Sequence, residues 1–467
     1  MQTLTIVARW LEDRLHIGRL FEATAGHKVP ASTNSWFYVL GSGTLLCFVI
    51  QVVTGVCLAF VYIPSAAQAW TSLQYLNHQQ ALGWFLRAVH TWGSTFMVGI
   101  MTLHMVQTFL FGAYKFPREL TWISGCVLLL CTLAMAFTGQ VLRFDQDAYW
   151  GLGIGASIMG RVPLIGAELV HVVLAGPIIA GETLSRFFTL HVFVIPGAIL
   201  ALVSLHVRLV LTKGVNEYPT PGKVVRRSSY EAEYDRLLHE DGVPFVPHVI
   251  GKDLIFSAAV TLAILGCAAV FGPSGPSGPP DPALIRTVPK PDFYFLAVYA
   301  VLALLPPYME TFLLLTAPVV GIAVLMLLPF ISGEGEKSAR RRPVAVLTVV
   351  LTMLTLAVLA WLGTDAPWSP RMEAWSGTPV PVEYLHGRSP LERRGAALIQ
   401  SKQCRNCHAL GAGGGLRGPA LDGVATRLTH DQLIRQVIQG GGNMPAYGKN
   451  LKPAEVTALV AFMETLR

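Results

Sequence analysis

Four histidines stand inside long apolar runs, and their spacing is the first sign of chemistry. His90 and His104 lie 14 residues apart in "VHTWGSTFMVGIMTLHMVQTF", and His191 and His206 lie 15 apart in "TLHVFVIPGAILALVSLHVRLV". Ionisable side chains within a membrane span are costly and mark functional positions. At 100° per residue, 14 residues turn through about 1400°, some 40° short of four turns; 15 turn through about 1500°, some 60° beyond. Each pair therefore lies on one stripe of its helix, its members about 21–22 Å apart along the axis. A lone membrane histidine often does no more than hydrogen-bond a neighbouring helix. Four at matched depths can instead hold two haems, one above the other, each iron taking one imidazole from each helix. Neutral imidazole suits iron, and a closed bis-histidine site favours electron transfer over oxygen chemistry.

A second constellation stands near the end of the chain. "KQCRNCHALG" contains Cys404, Cys407 and His408 in the Cys-x-x-Cys-His spacing of covalent c-type haem attachment. His408 would ligate that iron. Met444, in "GGGNMPAYG", is the candidate sixth ligand, and methionine–histidine ligation raises the potential. The order helix, CxxCH, Gly-Pro, Met-Pro, helix resembles a small class I cytochrome c, with Gly395 and Phe462 where the terminal helices cross and Pro419 beside His408.

These residues need elements to position them. The chain has 467 residues, 52% apolar and 13% charged, against about 25% charged in a soluble domain. Seven segments can span a bilayer, at about 37–63, 88–113, 120–142, 187–212, 252–272, 311–331 and 344–363. The fold class expected is all-α: a polytopic membrane bundle with two b haems within its first four helices, followed by a small soluble all-α domain. The divisions expected are 1–215 for the four-helix haem domain, 216–363 for a three-helix domain, 364–395 for a proline-rich linker, and 396–467 for the soluble domain. Two pairs of glycines repeat the spacing of 14: Gly41 and Gly55 in the first span, Gly125 and Gly139 in the third. A missing side chain lets a flat macrocycle approach the backbone.

The net charge of +7 reads as basic cytoplasmic loops, not as nucleic-acid binding. With the N-terminus inside, the inner loops hold 17 Lys and Arg and the outer loops 6, which leaves the tail outside, where c-type haem is attached in bacteria. No cleavable signal peptide is visible. Cys47, Cys57, Cys126, Cys131 and Cys267 lie in apolar runs and read as small hydrophobes.

Residues 28–363 resemble the cytochrome b subunit of cytochrome bc and bf complexes, on the stretches "WFLRAVHTW", "YKFPRELTW", "FTGQVLRFDQDAYWG", "SRFFTLHVFVIPG" and "VPKPDFYFL". The step of 15 between His191 and His206 and the three-helix second half look like the bf type. The resemblance implies a quinol:cytochrome c oxidoreductase subunit of an electron-transport chain, in the cytoplasmic membrane of a bacterium. Quinol is oxidised near the outer face; one electron passes to a separate Rieske iron–sulfur protein and on to c-type haem, the other through the b haems to an inner quinone site, with proton translocation. It places His90 and His191 on the outer b haem and His104 and His206 on the inner one, with Arg87 and Arg118 pairing with propionates. It also implies a homodimeric complex, with further cytochrome c subunits or a soluble acceptor as partners. Val39 stands where bf complexes carry the cysteine of an extra inner-face haem, so that haem is not expected. Pro291–Tyr294 reads "PDFY" where the family has Pro-Glu-Trp-Tyr. Asp292 is the candidate base for the quinol proton, with Tyr294 beside it and Tyr149 a further candidate; Asp292 could instead cap the following helix. The alternative reading is the di-haem membrane anchor of another quinone-linked dehydrogenase or reductase.

Overall fold

A computed structural model of the chain describes residues 2–16, 18–19, 22, 24–176, 179–281, 289–305, 307–365, 379–415, 418–441 and 444–467. All seven expected spans are helical: α1 Leu40–Ala59, α2 Gly83–Leu110, α3 Glu119–Leu142, α4 Gly181–Lys213, α5 Ile250–Phe271, α6 Pro307–Ile331 and α7 Pro343–Asp365. Among the described residues, six of these are long and apolar enough to cross a membrane. The seventh, α2, has 28 residues and a length of about 42 Å, more than a hydrocarbon core. Its apolarity is lowered by Arg87, His90, His104 and Gln107. It begins at Gly83, earlier than expected, which brings Arg87 into its second turn.

No residue in the apolar windows of α6 and α7 is fully buried, whereas 28% of those in the window of α3 are. Large apolar side chains left exposed along both helices, Phe312, Val320, Val350 and Leu354 among them, need an apolar solvent, so those faces of α6 and α7 meet lipid. The interior packs α1 to α5 together through residues such as Cys47, Ile100, Leu128, Ile199 and Ile264.

Short pairings tie the loops into two faces. Lys28–Pro30 pairs antiparallel with Gly242–Pro244, Val224–Val225 with Gly335–Glu336, and Phe116 N donates to Gly333 O at 3.0 Å. The N-terminal segment and the loops after α2, α4 and α6 thus share one face. On the other, Trp70 Nε1 donates to Ser277 O at 2.8 Å, and Gln146 exchanges two hydrogen bonds with the backbone of Asp281. That face gathers the loops after α1, α3 and α5.

The helix α4 is not regular. Leu190–Val194 forms a π-turn in which Ile195 N bonds Leu190 O, five residues back. Pro196 follows and has no N–H to give to Val192, which removes one α-helical bond at this point. The turn absorbs one residue. The 15 residues from His191 to His206 therefore advance the helix nearly as 14 would, which brings the offset on α4 toward the roughly 40° of α2. This corrects the 60° expected from unbroken α geometry.

The C-terminal domain is built on α8 Pro390–Ser401, α9 His430–Gln439 and α10 Pro453–Met463. Ser389 caps α8 through Glu392 N. Gly395 lets α8 cross α10 in contact: a Cβ there would stand 2.0 Å from Ala458 O and 2.7 Å from Phe462 Cβ. The domain starts before the expected residue 396. Val380 packs into the same core as Ala396, Ile399 and Phe462, and buried Arg405 donates to Pro379 O at 2.7 Å. Of the expected linker 364–395, residues 366–378 lie outside the described residues.

Candidate functional site

The four membrane histidines stand at two levels. At one, the rings of His90 and His191 face each other with centroids 6.3 Å apart and planes at 75°. A metal–imidazole bond of about 2.0–2.1 Å, plus about 1.1 Å from nitrogen to ring centre, separates two rings on one metal by about 6.3 Å. The spacing fits a shared iron. At the other level His104 and His206 lie within electrostatic range of each other.

Hydroxyl groups orient three of the four rings. Thr54 Oγ1 lies 2.8 Å from His90 Nδ1, Thr138 Oγ1 3.0 Å from His191 Nδ1, and Ser124 Oγ 2.9 Å from His206 Nδ1. Each hydroxyl already gives its proton to its own helix: Thr54 to Ile50 O at 2.6 Å, Thr138 to Ala134 O at 2.9 Å, Ser124 to Thr121 O at 2.9 Å. Only a lone pair remains for the histidine. Nδ1 must therefore carry the imidazole proton, and Nε2 is left bare as a metal ligand. The sequence held this signal unread: a hydroxyl residue precedes Gly55, Gly125 and Gly139.

The glycines face the imidazoles. A Cβ at Gly55 would stand 3.2 Å from His90 Cε1, at Gly139 2.7 Å from His191 Cε1, at Gly41 3.5 Å from His104 Cε1, and at Gly125 3.5 Å from His206 Cε1. Their spacing matches that of the histidines because each accommodates one ligand ring.

The two arginines differ. Arg118 donates Nε to Gly214 O and Nη1 to Tyr230 Oη, both at 2.8 Å, while its buried Nη2 has no partner. That spare donor fits a propionate. Arg87 gives Nη1 to Asn77 Oδ1 at 2.7 Å and Nη2 to Gly275 O at 2.6 Å and to Ser274 O. It lines the cavity around His90 and His191, but these donors hold the α5–α6 connection. Arg143, not singled out from sequence, lines the same cavity. Its Nε lies 3.3 Å from Asp145 Oδ2, and its Nη1 donates to Ser274 Oγ at 3.1 Å. Buried Asp145 also accepts from Ser277 N at 2.9 Å and caps Gln146–Gly160 through Ala148 N at 2.9 Å. The proline- and glycine-rich "GPSGPSG" is thus held against the cavity, which Ser274 helps to line.

Asp292 and Tyr294 line that cavity with His90 and His191, and Tyr294 Oη donates to Asp292 Oδ2 at 2.7 Å. Asp292 sits at a helix N-cap position, yet its side chain makes no capping bond. Burial, then the adjacent Asp292, push the Tyr294 phenol up, so it stays a protonated donor. Tyr149 is not among the lining residues; its ring packs edge-on against Trp150. Val39 and Cys47 are both buried, at 3% and 0% exposure, so neither position offers a surface thiol.

In the tail, His408 Nδ1 lies 2.7 Å from Pro419 O, a pure acceptor, which again leaves Nε2 bare. A Cβ at Gly418 would stand 2.4 Å from His408 Cε1. Burial pushes the Cys404 thiol up to about 11, the opposite of an activated thiolate. Tyr447 lies within electrostatic range of Cys404 and Cys407, bringing the segment of Met444 to the CxxCH turn. Met444 Sδ accepts from Gln436 Nε2 at 3.4 Å.

Fold and site together define an integral membrane haem protein with a c-type domain appended. The sequence profile of cytochrome b/b6/petB matches residues 25–214, that of cytochrome b(C-terminal)/b6/petD residues 281–377, and that of cytochrome c oxidase, cbb3-type, subunit III residues 390–463. Cytochrome b6 of Heliobacterium modesticaldum is 39% identical over 209 residues, which cover 44% of this chain and 98% of the relative. Cytochrome b6 of Synechococcus elongatus is 37% identical over 207 residues, 44% of this chain and 96% of the relative. A chain of a hyperthermophilic respiratory Complex III is 29% identical with a TM-score of 0.66, covering 77% of this chain and 91% of that one. The chain belongs to the cytochrome b/b6 family, as a b6f-like cytochrome b fused to a cytochrome c domain, and binds haem b and haem c.

Proposed function

We propose that the chain is the quinol-oxidising cytochrome b subunit of a bc/b6f-type complex that carries a c-type acceptor on its own tail. It holds two haem b, one on His90 and His191 and one on His104 and His206. It holds one haem c on Cys404 and Cys407, with His408 and Met444 as axial ligands. When bound, these groups supply one-electron transfer between the two membrane faces and to the tail. The observation that carries the reading is the bond from Tyr294 to Asp292 inside the cavity that also contains His90 and His191. A carboxylate base and two iron-competent imidazoles line one space. Asp292 accepts the proton of a quinol bound there, directly or through one water, and Tyr294 holds the carboxylate in place.

A separate Rieske iron–sulfur protein takes the other electron of each quinol, and quinone is reduced at the opposite face. The unit is a homodimeric complex. The basic face carrying the N-terminus lies in the cytoplasm and the tail in the periplasm, as the Lys and Arg distribution supports.

Pyridine haemochrome analysis of the purified protein should give haem b to haem c at two to one. A ratio of one to one would count against this content, pointing to a lost b haem or to a further c haem despite Val39. Met444→Ala should retain the haem covalently, since Cys404 and Cys407 bind it, and should lower its potential in redox titration. An unchanged potential would remove Met444 as the ligand.

A further inference from the structure

Of the four membrane imidazoles, one lacks an orienting partner. Among the described residues His104 Nδ1 is buried and makes no hydrogen bond, while the Nδ1 atoms of His90, His191 and His206 each have a hydroxyl within 3.0 Å. The difference lies in one residue. The hydroxyls come from the residue before each facing glycine, Thr54, Ser124 and Thr138; before Gly41 stands Leu40. The glycine–imidazole geometry at Gly41 matches that at Gly55 and Gly125, Gly139 standing closer to its ring. A Cβ at Gly41 would stand 3.9 Å from His104 Nδ1, against 3.9 Å for Gly55 and His90 and 4.0 Å for Gly125 and His206. A hydroxyl at position 40 would therefore occupy the place that Thr54 and Ser124 fill.

Ligand basicity follows from this. An imidazole whose distal N–H is bonded to an acceptor becomes the more basic ligand. A more basic ligand favours the more highly charged ferric state and lowers the potential, hydrogen bonding being one of the levers a protein has on haem iron. The His90–His191 level has two such bonds, and the His104–His206 level has one. We infer that Leu40 tunes the His104–His206 level by omission: by withholding the fourth hydroxyl it leaves His104 the less basic ligand and raises the potential of the haem held there, which widens the gap to the His90–His191 level. The inference rests on the two-haem reading above and concerns the residue that sets the size of the gap.

The test is a potentiometric titration of the two b-haem absorption bands in the whole protein, wild type against Leu40→Ser and Thr54→Val. Leu40→Ser supplies the missing acceptor and should lower only the higher-potential band. The expected shift is about tenfold in the reduction equilibrium, 59 mV for one electron. Thr54→Val keeps the β-branched shape, removes the acceptor from His90, and should raise only the lower-potential band. Either change narrows the gap between the bands. If Leu40→Ser does not assemble with both haems, Thr54→Val decides alone. Unmoved bands in a variant that retains both haems overturn the inference, as does a shift in the other band. Absence of two b bands in the wild type would instead overturn the two-haem reading.

Discussion

Asp292→Asn should slow quinol oxidation by roughly 10²–10⁴-fold while every haem band remains. Asparagine has the same shape and can still accept the hydrogen bond that Tyr294 Oη now gives at 2.7 Å. It would also serve as a helix cap, although the aspartate makes no capping bond. What it cannot do is take a proton. Tyr294 engages Oδ2, and in the proposed reaction Oδ1 takes the quinol proton. Asp292→Glu keeps the carboxylate and should retain most of the activity. The measurement is the initial rate of b-haem reduction by quinol, with haem content quantified in the same preparation. A parental rate in Asp292→Asn would make this residue structural and remove the proposed route for the proton.

The second large effect is expected at Gly139. A Cβ there would stand 2.7 Å from His191 Cε1, a separation real Cβ contacts do not adopt. Neither side can yield easily. The glycine is inside the regular helix α3, and the imidazole is held by Thr138, the residue next to it. Gly139→Ala should therefore tilt His191 off the shared axis with His90 and lose that haem, changing b to c from two to one to one to one. Gly41→Ala, where the same carbon would stand an ordinary 3.5 Å from His104, should keep both haems. Equal loss at both positions would show that the glycines make room for the macrocycle and not for the ligand rings.

Much of this site was legible in the sequence because its parts are strongly periodic or covalently constrained. The spans were found to within a few residues because a bilayer sets their length and apolarity. The histidine stripes were visible because helical geometry turns a spacing of 14 into a shared face. Other parts were hidden for definite reasons. Thr54, Ser124 and Thr138 look like ordinary small helix residues until the packing of α1 on α2 and α3 on α4 sets each beside a ring. Arg143 and Asp145 act on Ser274 and Ser277, more than 130 residues away, and no local pattern announces that pairing. The early start of the C-terminal domain was missed because its first segment is short and proline-rich, and only Val380 and Pro379 meeting the core reveal that it belongs there. The glycines were found for their spacing, but their contacts could not be read from it.

The π-turn at Leu190–Val194 separates two quantities that the sequence appears to equate. Count the residues between the ligands of α4 and they differ from α2 by one; follow the helix and they do not. A single-residue insertion or deletion within that turn can be taken up by winding or unwinding it, leaving His191 and His206 where they are. Relatives with unequal histidine spacings can thus share one haem-to-haem distance, on which the rate of electron crossing depends, while their ligand intervals drift. In this helix the alignment gap is not a structural displacement. The proline that follows it keeps the place where such a gap is harmless.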